Sequence, residues 1–367
     1  MMELQLRTGQ VFGPDQLVKA RVKRSIDPLF GYLQRDSMEL TLLGDGELQP
    51  GAAIQTGAVL THKGKTVATQ QVQDCIRTGI TQQLRCKTDL DFLKLEYMGG
   101  VYQNETAPTL LLELLGDRQR DYNIGLLDNI SGHIPICTRK EALELLTFAT
   151  GTCMQVNPLG EFVLRELGDR DPVVIPASRV LEGGQVVQLP QYSKAELVAH
   201  SYIPSQTAVY VFEHREFTRQ EQMIKFSEPV HWISIGQSQV LAEGPNFIRF
   251  QAEQYDSLMV KPYLHGTQYL TRSFEDLPEH TRVLSVRENG LVNSSNCQKL
   301  LDKLCQRAVM RAQVKPKIRV VEETVGDLVT VQTPWGERYT GYITAMDSTY
   351  TPESHVAQIT LMGQKEE

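Results

Sequence analysis

The stretch Ile134–Leu167, IPICTRKEALELLTFATGTCMQVNPLGEFVLREL, constrains the fold more than any other part of the chain. Thr138 stands where a helix N-cap is expected, and Glu141 three residues later completes a capping box. Ala142, Leu143, Leu145, Leu146 and Ala149 recur at helical spacing and form one apolar stripe. Gly151 follows where a left-handed residue ends a helix. Thr152–Val156 then reads as a strand, Asn157-Pro158-Leu159-Gly160 as a turn, and Glu161–Leu167 as the returning strand. The unit predicted is a capped helix on a hairpin. It contains no nucleophile, metal-ligand set or phosphate loop.

The flanking sequence divides into four consecutive parts. Residues 1–95 read as a first β-barrel or sandwich: Met38–Leu42 alternates as a half-buried strand, and Lys63-Gly64-Lys65 is a hairpin turn between Val59–Thr61 and Thr66–Ala68. Leu17–Ile26 alternates more loosely, with Val18, Ala20, Val22 and Arg24 on one side. Gln70–Arg77 and Gln82–Thr88 form a further strand pair. Residues 96–190 are α/β, with a helix capped by Thr106, carrying Pro108 in its first turn and ending at Gly116. Leu110, Leu111, Leu114 and Leu115 supply its buried face, a charged turn follows at Asp117–Asp121, and Tyr122–Ile130 is extended. Residues 191–290 return to β, with strands expected at Glu196–Ile203, Ala208–His214, Glu221–Phe226, His231–Ile235 and Asn246–Ala252. Residues 291–367 open with a helix carrying Leu300, Leu301, Leu304, Cys305 and Ala308, stopped by Lys315-Pro316. A small OB-like set of strands follows, with a turn at Pro334-Trp335-Gly336-Glu337. The fold class predicted is mainly β with an α/β insert: two barrels, a helix-plus-hairpin domain between them, and a C-terminal helix plus small β domain. Residues 1–95 and 191–289 share no sequence self-similarity, so any duplication is structural only.

With 367 residues, 41% hydrophobic and 22% charged, the chain is long enough for several packed domains. Its net charge of −7 argues against gripping nucleic acid by the phosphates. A signal peptide is not expected, because MMELQLRTGQ lacks an apolar run. No stretch approaches the roughly 18 apolar residues of a membrane span. Cys75, Cys86, Cys137, Cys153, Cys297 and Cys305 show no CxxC pair, which suits reduced, mostly buried thiols.

Motifs of known chemistry are missing from the sequence. Glu213-His214-Arg215-Glu216 has the wrong spacing for two metal ligands on one helix face. His200, His214 and His231 lie on separate predicted strands, and each reads as a satisfied or exposed histidine. There is no GxSxG, P-loop or GxGxxG after a strand. Trp232 and Trp335 read as core or interface rather than a sugar platform. No catalytic residue, cofactor or metal is expected. The loop Asp27–Asp36 is apolar for an exposed turn. It either folds onto its own barrel or packs against a neighbouring subunit, with Pro28, Leu29, Phe30 and Leu33 as the candidate contacts.

Several segments together resemble a known family. PICTRKEAL…LTFATG with its hairpin, Ser25-Ile26-Asp27-Pro28-Leu29, His62-Lys63-Gly64-Lys65, Tyr97-Met98-Gly99-Gly100-Val101-Tyr102 and Ala199–Pro204 are similar to segments of phage tail hub (baseplate hub) proteins of Firmicutes phages and phage-tail-like particles. Asp327–Gly336 with Gly341–Asp347 resembles that family's C-terminal strands, so the likeness runs nearly the full length. The resemblance implies two tail-tube-like barrels per chain and no enzymatic residues. It implies a homotrimer adapting a six-fold tail tube to a three-fold spike or fibre complex, with tail tube, distal tail, spike or fibre and tape measure proteins as partners. It places the chain in a virion tail or phage-tail-like particle, made and assembled in the host cytoplasm. Larger relatives add a cell-wall hydrolase, and none is expected here. Three chains of two barrels would close a six-barrel ring, and an acidic ring would let a genome pass without holding it. The rival readings are a cell-wall-degrading tail enzyme, which would need a cleft of converging carboxylates or a metal, and a sugar-binding adhesin, which would need an exposed aromatic shelf.

Thiol titration of the denatured protein, prepared without reductant, is expected to find all six cysteines; a bridge between Cys75 and Cys86 would contradict it.

Overall fold

The structure is a computed structural model and describes every residue except 45–53, 117–118, 123–128, 219, 275–281 and 367. Strands make up 57% of it and helices 12%, so the fold is mainly β. The first segment supplies β1 (Met2–Leu6), β2 (Val11–Phe12), β3 (Leu17–Ser25), β4 (Ser37–Leu43), β5 (Gly57–His62), β6 (Lys65–Thr78) and β7 (Thr81–Lys87). The strand β4 alternates as expected, with Met38, Leu40 and Leu42 inside. The β5–β6 turn is built by Lys63 and Gly64, both at positive φ (53° and 76°). In β3 the alternation slips: a register shift between Leu17 and Lys19 puts Leu17, Ala20 and Val22 inside and leaves Val18 41% exposed. A bulge adds one residue to one strand, which reverses the facing of everything before it.

The second segment contains β8 (Glu96–Tyr97), β9 (Gly100–Thr106), α1 (Ala107–Leu115), β10 (Gln119–Tyr122), β11 (Asn129–Ile134), β12 (Cys137–Thr138), α2 (Arg139–Thr150), β13 (Cys153–Val156), β14 (Phe162–Arg165), β15 (Val173–Ile175) and β16 (Val180–Gln188). The expected charged turn at Asp117–Asp121 and extended run Tyr122–Ile130 lie partly outside the described residues. The capping box of α2 is complete: Glu141 N donates to Thr138 Oγ1 at 3.2 Å, and Thr138 N donates to Glu141 Oε2 at 2.7 Å. Gly151 closes the helix in the left-handed region, and β13 and β14 pair as the hairpin. In α1, Thr106 caps and the four expected leucines are buried. The leucines of both helices meet Phe162 and Leu164 of the hairpin in one cluster.

The third segment runs β17 (Tyr192–Pro204), β18 (Val209–Glu216), β19 (Glu221–Lys225), β20 (Val230–Ile235), β21 (Gln239–Gly244), β22 (Phe247–Gln251), β23 (Tyr255–Ser273) and β24 (Arg282–Val286). Its spine is the 19-residue β23, which pairs β18 and β20 through its first half and β17 through its second. The last segment supplies α3 (Cys297–Ala308), β25 (Ala312–Arg319), β26 (Leu328–Gln332), β27 (Arg338–Tyr350) and β28 (His355–Lys365). The helix α3 ends at Ala308, well before Pro316. That proline sits inside β25, where the pairing to β16 shifts register. A proline lacks the N–H that a regular ladder needs, so an irregular rung suits it.

Residues 1–95 and 291–367, read as separate stretches in the sequence, join in space. Ala20–Ser25 of β3 pairs antiparallel with Ala345–Tyr350 of β27. The result is one 13-stranded curled sheet in the order β16-β25-β28-β27-β3-β4-β7-β6-β5-β1-β2, with β26 on β27 and β15 on β26. Tyr350 of the last segment accordingly belongs to the first segment's core.

Replacing Thr138 by Ala should lower unfolding free energy by about 1 kcal/mol in urea titration, because the Glu141 N–H loses its acceptor. An unchanged midpoint would mean that tertiary packing alone fixes α2.

Candidate functional site

The apolar loop between β3 and β4 was expected either to fold onto its own barrel or to meet a partner. It folds back on the same chain, but onto the α3 and helix-hairpin cores rather than onto the barrel of its own segment. Asp27 Oδ1 accepts from the backbone N–H groups of Leu29 and Phe30 at 2.9 and 3.0 Å, and Gly31 N donates to Asp27 O at 2.9 Å. Gly31 has φ +74°, and a Cβ there would lie 2.0 Å from Thr152 O, so only glycine fits. Gly31 O accepts from Met154 N at 3.1 Å, and Leu29 O accepts from Arg307 Nη1 at 3.1 Å. Leu33 is 4% exposed inside the cluster of α1, α2 and the hairpin. Leu29 and Phe30 are half-buried against the α3 cluster, and the Phe30 ring sits 6.2 Å from Phe148. Pro28 is likewise half-buried. Leu33 is therefore withdrawn as a surface contact: its burial satisfies the apolarity that suggested an interface. Phe30 and Tyr32 keep one side on an open cleft of about 720 Å³ beside Ile136, Glu144 and Arg287. Burial pushes the Tyr32 phenol and the Glu144 carboxyl above their ordinary ranges, the latter against the opposing pull of Lys140 at 3.2 Å.

Unsatisfied apolar surface lies elsewhere, on the third segment. Residues opposite each other across strands share a face. Tyr210 pairs Met259, and Trp232 pairs Lys261, so all four stand on one face of β18, β23 and β20. Tyr210 is 54% and Trp232 39% exposed. Lys261 Nζ lies 5.4 Å from the centre of the Trp232 ring, which occupies one face of the indole. On the opposite face of β23, Ile203 pairs Leu264 across β17, and the two are 61% and 58% exposed. Trp335 is half exposed at its turn, with Nε1 donating to Glu337 Oε2 at 2.8 Å.

The three histidines singled out in the sequence do not converge. His200 is buried, with Nδ1 2.9 Å from His265 Nε2 and Nε2 2.8 Å from Arg287 O. His214 stacks on Tyr255, and His231 Nε2 lies 2.8 Å from Ser205 O. Burial pulls the His200 imidazole below its ordinary range against the opposing Arg287 carbonyl, and its neighbour His265 adds to the lowering. Among the described residues, no group of three or more His, Cys, Asp or Glu could hold a metal ion. The six cysteines stand unbridged, and burial pushes the Cys86 thiol up to about 12.

The residues that tie the segments together were not singled out in the sequence. Asn246 Nδ2 donates to Met98 O at 2.8 Å and Ile134 O at 2.9 Å, and its Oδ1 lies 2.8 Å from His133 Nε2. This fixes the Tyr97-Met98-Gly99-Gly100 junction to the third segment. Arg307 bonds Leu29 O and, at 3.1 Å, Gly151 O, tying α3 to the loop and to the end of α2. The signal for such residues is faint, since a lone Asn or Arg carries no periodicity.

No family model matches the chain, and no curated protein matches it. The fold, in contrast, has close counterparts among solved structures. The 43 kDa tail protein of prophage MuSo2 from Shewanella oneidensis aligns over 98% of this chain and 97% of its own, at TM-score 0.59 and 12% identity. A tail protein from Neisseria meningitidis MC58 aligns over 100% and 96%, at 0.58 and 10%. The prophage tail protein gp18 from Listeria monocytogenes EGD-e aligns over 100% and 95%, at 0.53 and 11%. The chain has the fold of phage tail proteins. At such identities the likeness is one of fold, carried by element order rather than by shared residues.

The double variant Leu29→Asp/Phe30→Asp is expected to lose stability. Two carboxylates against an apolar cluster cost on the order of several kcal/mol. Thermal melting and soluble yield check this, and Gly31→Ala should destabilise in the same direction, by about 1–3 kcal/mol from backbone strain before any clash. A double variant melting with the parent would return the loop to the surface.

Proposed function

We propose that this chain is a structural hub of a phage tail or tail-derived injection particle. The observation that carries the reading is the full-length fold match to tail proteins from three bacteria, two of them prophage proteins. The sequence resemblance to tail hubs points the same way. In this reading three chains form a ring under the tail tube, each contributing its two β units, and the ring adapts a six-fold tube to a three-fold spike or fibre complex. Its partners are tail tube and distal tail proteins above, with the spike or fibre and the tape measure protein at the axis. It performs no reaction and binds no cofactor. Tyr210 and Trp232 on one face of the β23 sheet, and the Ile203–Leu264 rung on the other, replace Leu33 as candidate contact surfaces, because exposed apolar side chains on neighbouring strands suit an assembly face. A net charge of −7 per chain suits a channel wall that does not hold DNA.

Mass photometry of the purified chain, alone and with its neighbouring tail proteins, tests the proposal. Particles of trimer mass are expected in at least one of these conditions, and Tyr210→Glu with Leu264→Glu should abolish them while each chain stays folded. Dimers in every context would overturn the ring. Release of soluble fragments from purified cell walls, lost on mutating a carboxylate cluster, would favour the enzyme reading instead.

A further inference from the structure

A pocket of about 570 Å³ opens at the seam where the first and last segments meet. It is lined by the β5–β6 turn, by β3, by the start of β28 and by the stretch 320–324. Two histidines form its floor. His62 ends β5 and is 7% exposed, and His355 begins β28. The Nε2 atoms of both rings are buried and without a hydrogen-bond partner. Tyr350 orders them: its ring stacks on His355 at 4.0 Å and meets His62 edge-on at 5.4 Å, and the two imidazoles lie 6.3 Å apart. His62 also hydrogen-bonds the Thr351 backbone, which leaves its Nε2 as the free position. Buried polar atoms are nearly always satisfied, so two orphaned ring nitrogens just beneath one pocket, on residues that line it, mark a place for a ligand.

The charges around the pocket select its sign. Lys63 and Lys65 stand on the turn, Arg24 on β3 and Arg170 on the loop after the hairpin, and all four line it. Arg24 and Arg170 are partly committed: Arg24 bonds Val67 O and lies 3.8 Å from Asp36, and Arg170 lies 3.9 Å from Asp327, which leaves Lys63 and Lys65 as the principal cations. Glu322 and Glu323 oppose them, but Glu323 is held by Arg179 at 2.6 Å and by Val321 N at 2.8 Å. The concavity is therefore electropositive in a chain whose net charge is −7.

We propose that this seam pocket binds a compact phosphate-type oxyanion, with His62 and His355 as its buried anchors and Lys63, Lys65 and Arg170 as its rim. The inference is independent of the tail reading. Empty, the site keeps both imidazoles neutral. Burial lowers them first; Lys63 and the N-terminal amine lower His62 further, and His62, Arg24 and Lys63 lower His355 to about 4 against the opposing pull of Glu323. An anion reverses this balance, because its negative charge favours the imidazolium form of both rings. Binding then takes up protons from solution and tightens as pH falls.

Calorimetric titration of the purified chain at constant ionic strength tests this. Sulfate, dianionic throughout, serves for the pH series, and inorganic phosphate and glycerol 3-phosphate serve at one pH. Sulfate affinity is expected to rise about tenfold between about pH 7.5 and about pH 5.5, with proton uptake seen as a dependence on buffer ionisation heat. Lys63→Ala, on the exposed turn, and His355→Gln should each weaken binding about tenfold, as loss of one charge-assisted hydrogen bond does. Lys63→Ala should melt with the parent, so its loss of affinity reports the pocket and not the fold. A flat pH series, parent-like affinity in both variants, or binding of Zn²⁺ with no binding of sulfate or phosphate would overturn the proposal.

Discussion

The loop from Ile26 to Leu33 is the contact on which the rest of the molecule depends. Ile26 is buried in the core of the last segment, Leu29 and Phe30 pack on the core of α3, and Leu33 enters the core of the helix-hairpin unit. One short run thus reaches three of the five hydrophobic clusters. Its main chain does the same work in polar terms, through Thr344 O, Met154 N and the Arg307 guanidinium. Each of those partners lies more than a hundred residues along the chain from the loop. Contacts of such sequence separation must overcome the entropy of closing a long loop before they stabilise anything. Once made, they fix the relative positions of units that local sequence could only define one at a time.

The rung between β3 and β27 has the same character. Arg21 grips Asp347 with two donors, Nε at 2.7 Å and Nη2 at 2.5 Å, across a separation of 326 residues. The bidentate geometry adds direction more than energy, since Arg21 is 42% exposed and an exposed pair contributes only about 0–1 kcal/mol. The strand ladder beneath it carries the load. By joining the first and last segments it turns two partial sheets into one curled surface, and it creates the histidine seam as a by-product of closure.

These two features explain what was legible in the sequence. Several features written in local spacing are present in the structure: the Thr138–Glu141 capping box, the Gly151 stop, the Lys63-Gly64 turn and the alternation of Met38, Leu40 and Leu42. Features set by distant partners were hidden. The bulge that turns Val18 outward needs the partner strand β4 to be seen. The β23 strand escaped notice because its second half, Tyr263–Ser273, buries almost nothing and so shows no alternation. Pro316 looked like a helix stop because a sequence does not reveal that β25 and β16 pair irregularly beside it. The apolar run Leu29-Phe30 was legible as apolar, but its partner, the other side of the same chain, was not.

That misdirection bears on how an assembly of such chains would hold. Leu33 is buried in the chain's own core, while Pro28, Leu29 and Phe30 are half-buried against it. The third segment is the reverse case. Its small core of Phe217, Ile248, Phe250 and Leu258 is closed, yet Tyr210, Trp232, Ile203, Leu264 and Tyr269 remain outside, the last 69% exposed. A scattered exposed Leu needs no explanation. Here, however, two of the residues face each other as the Ile203–Leu264 rung and two more share the face carrying Met259, on strands held rigid by β23. A rigid strand presents such side chains without further ordering cost on association. The third segment thus keeps apolar side chains on neighbouring strands outside its own core.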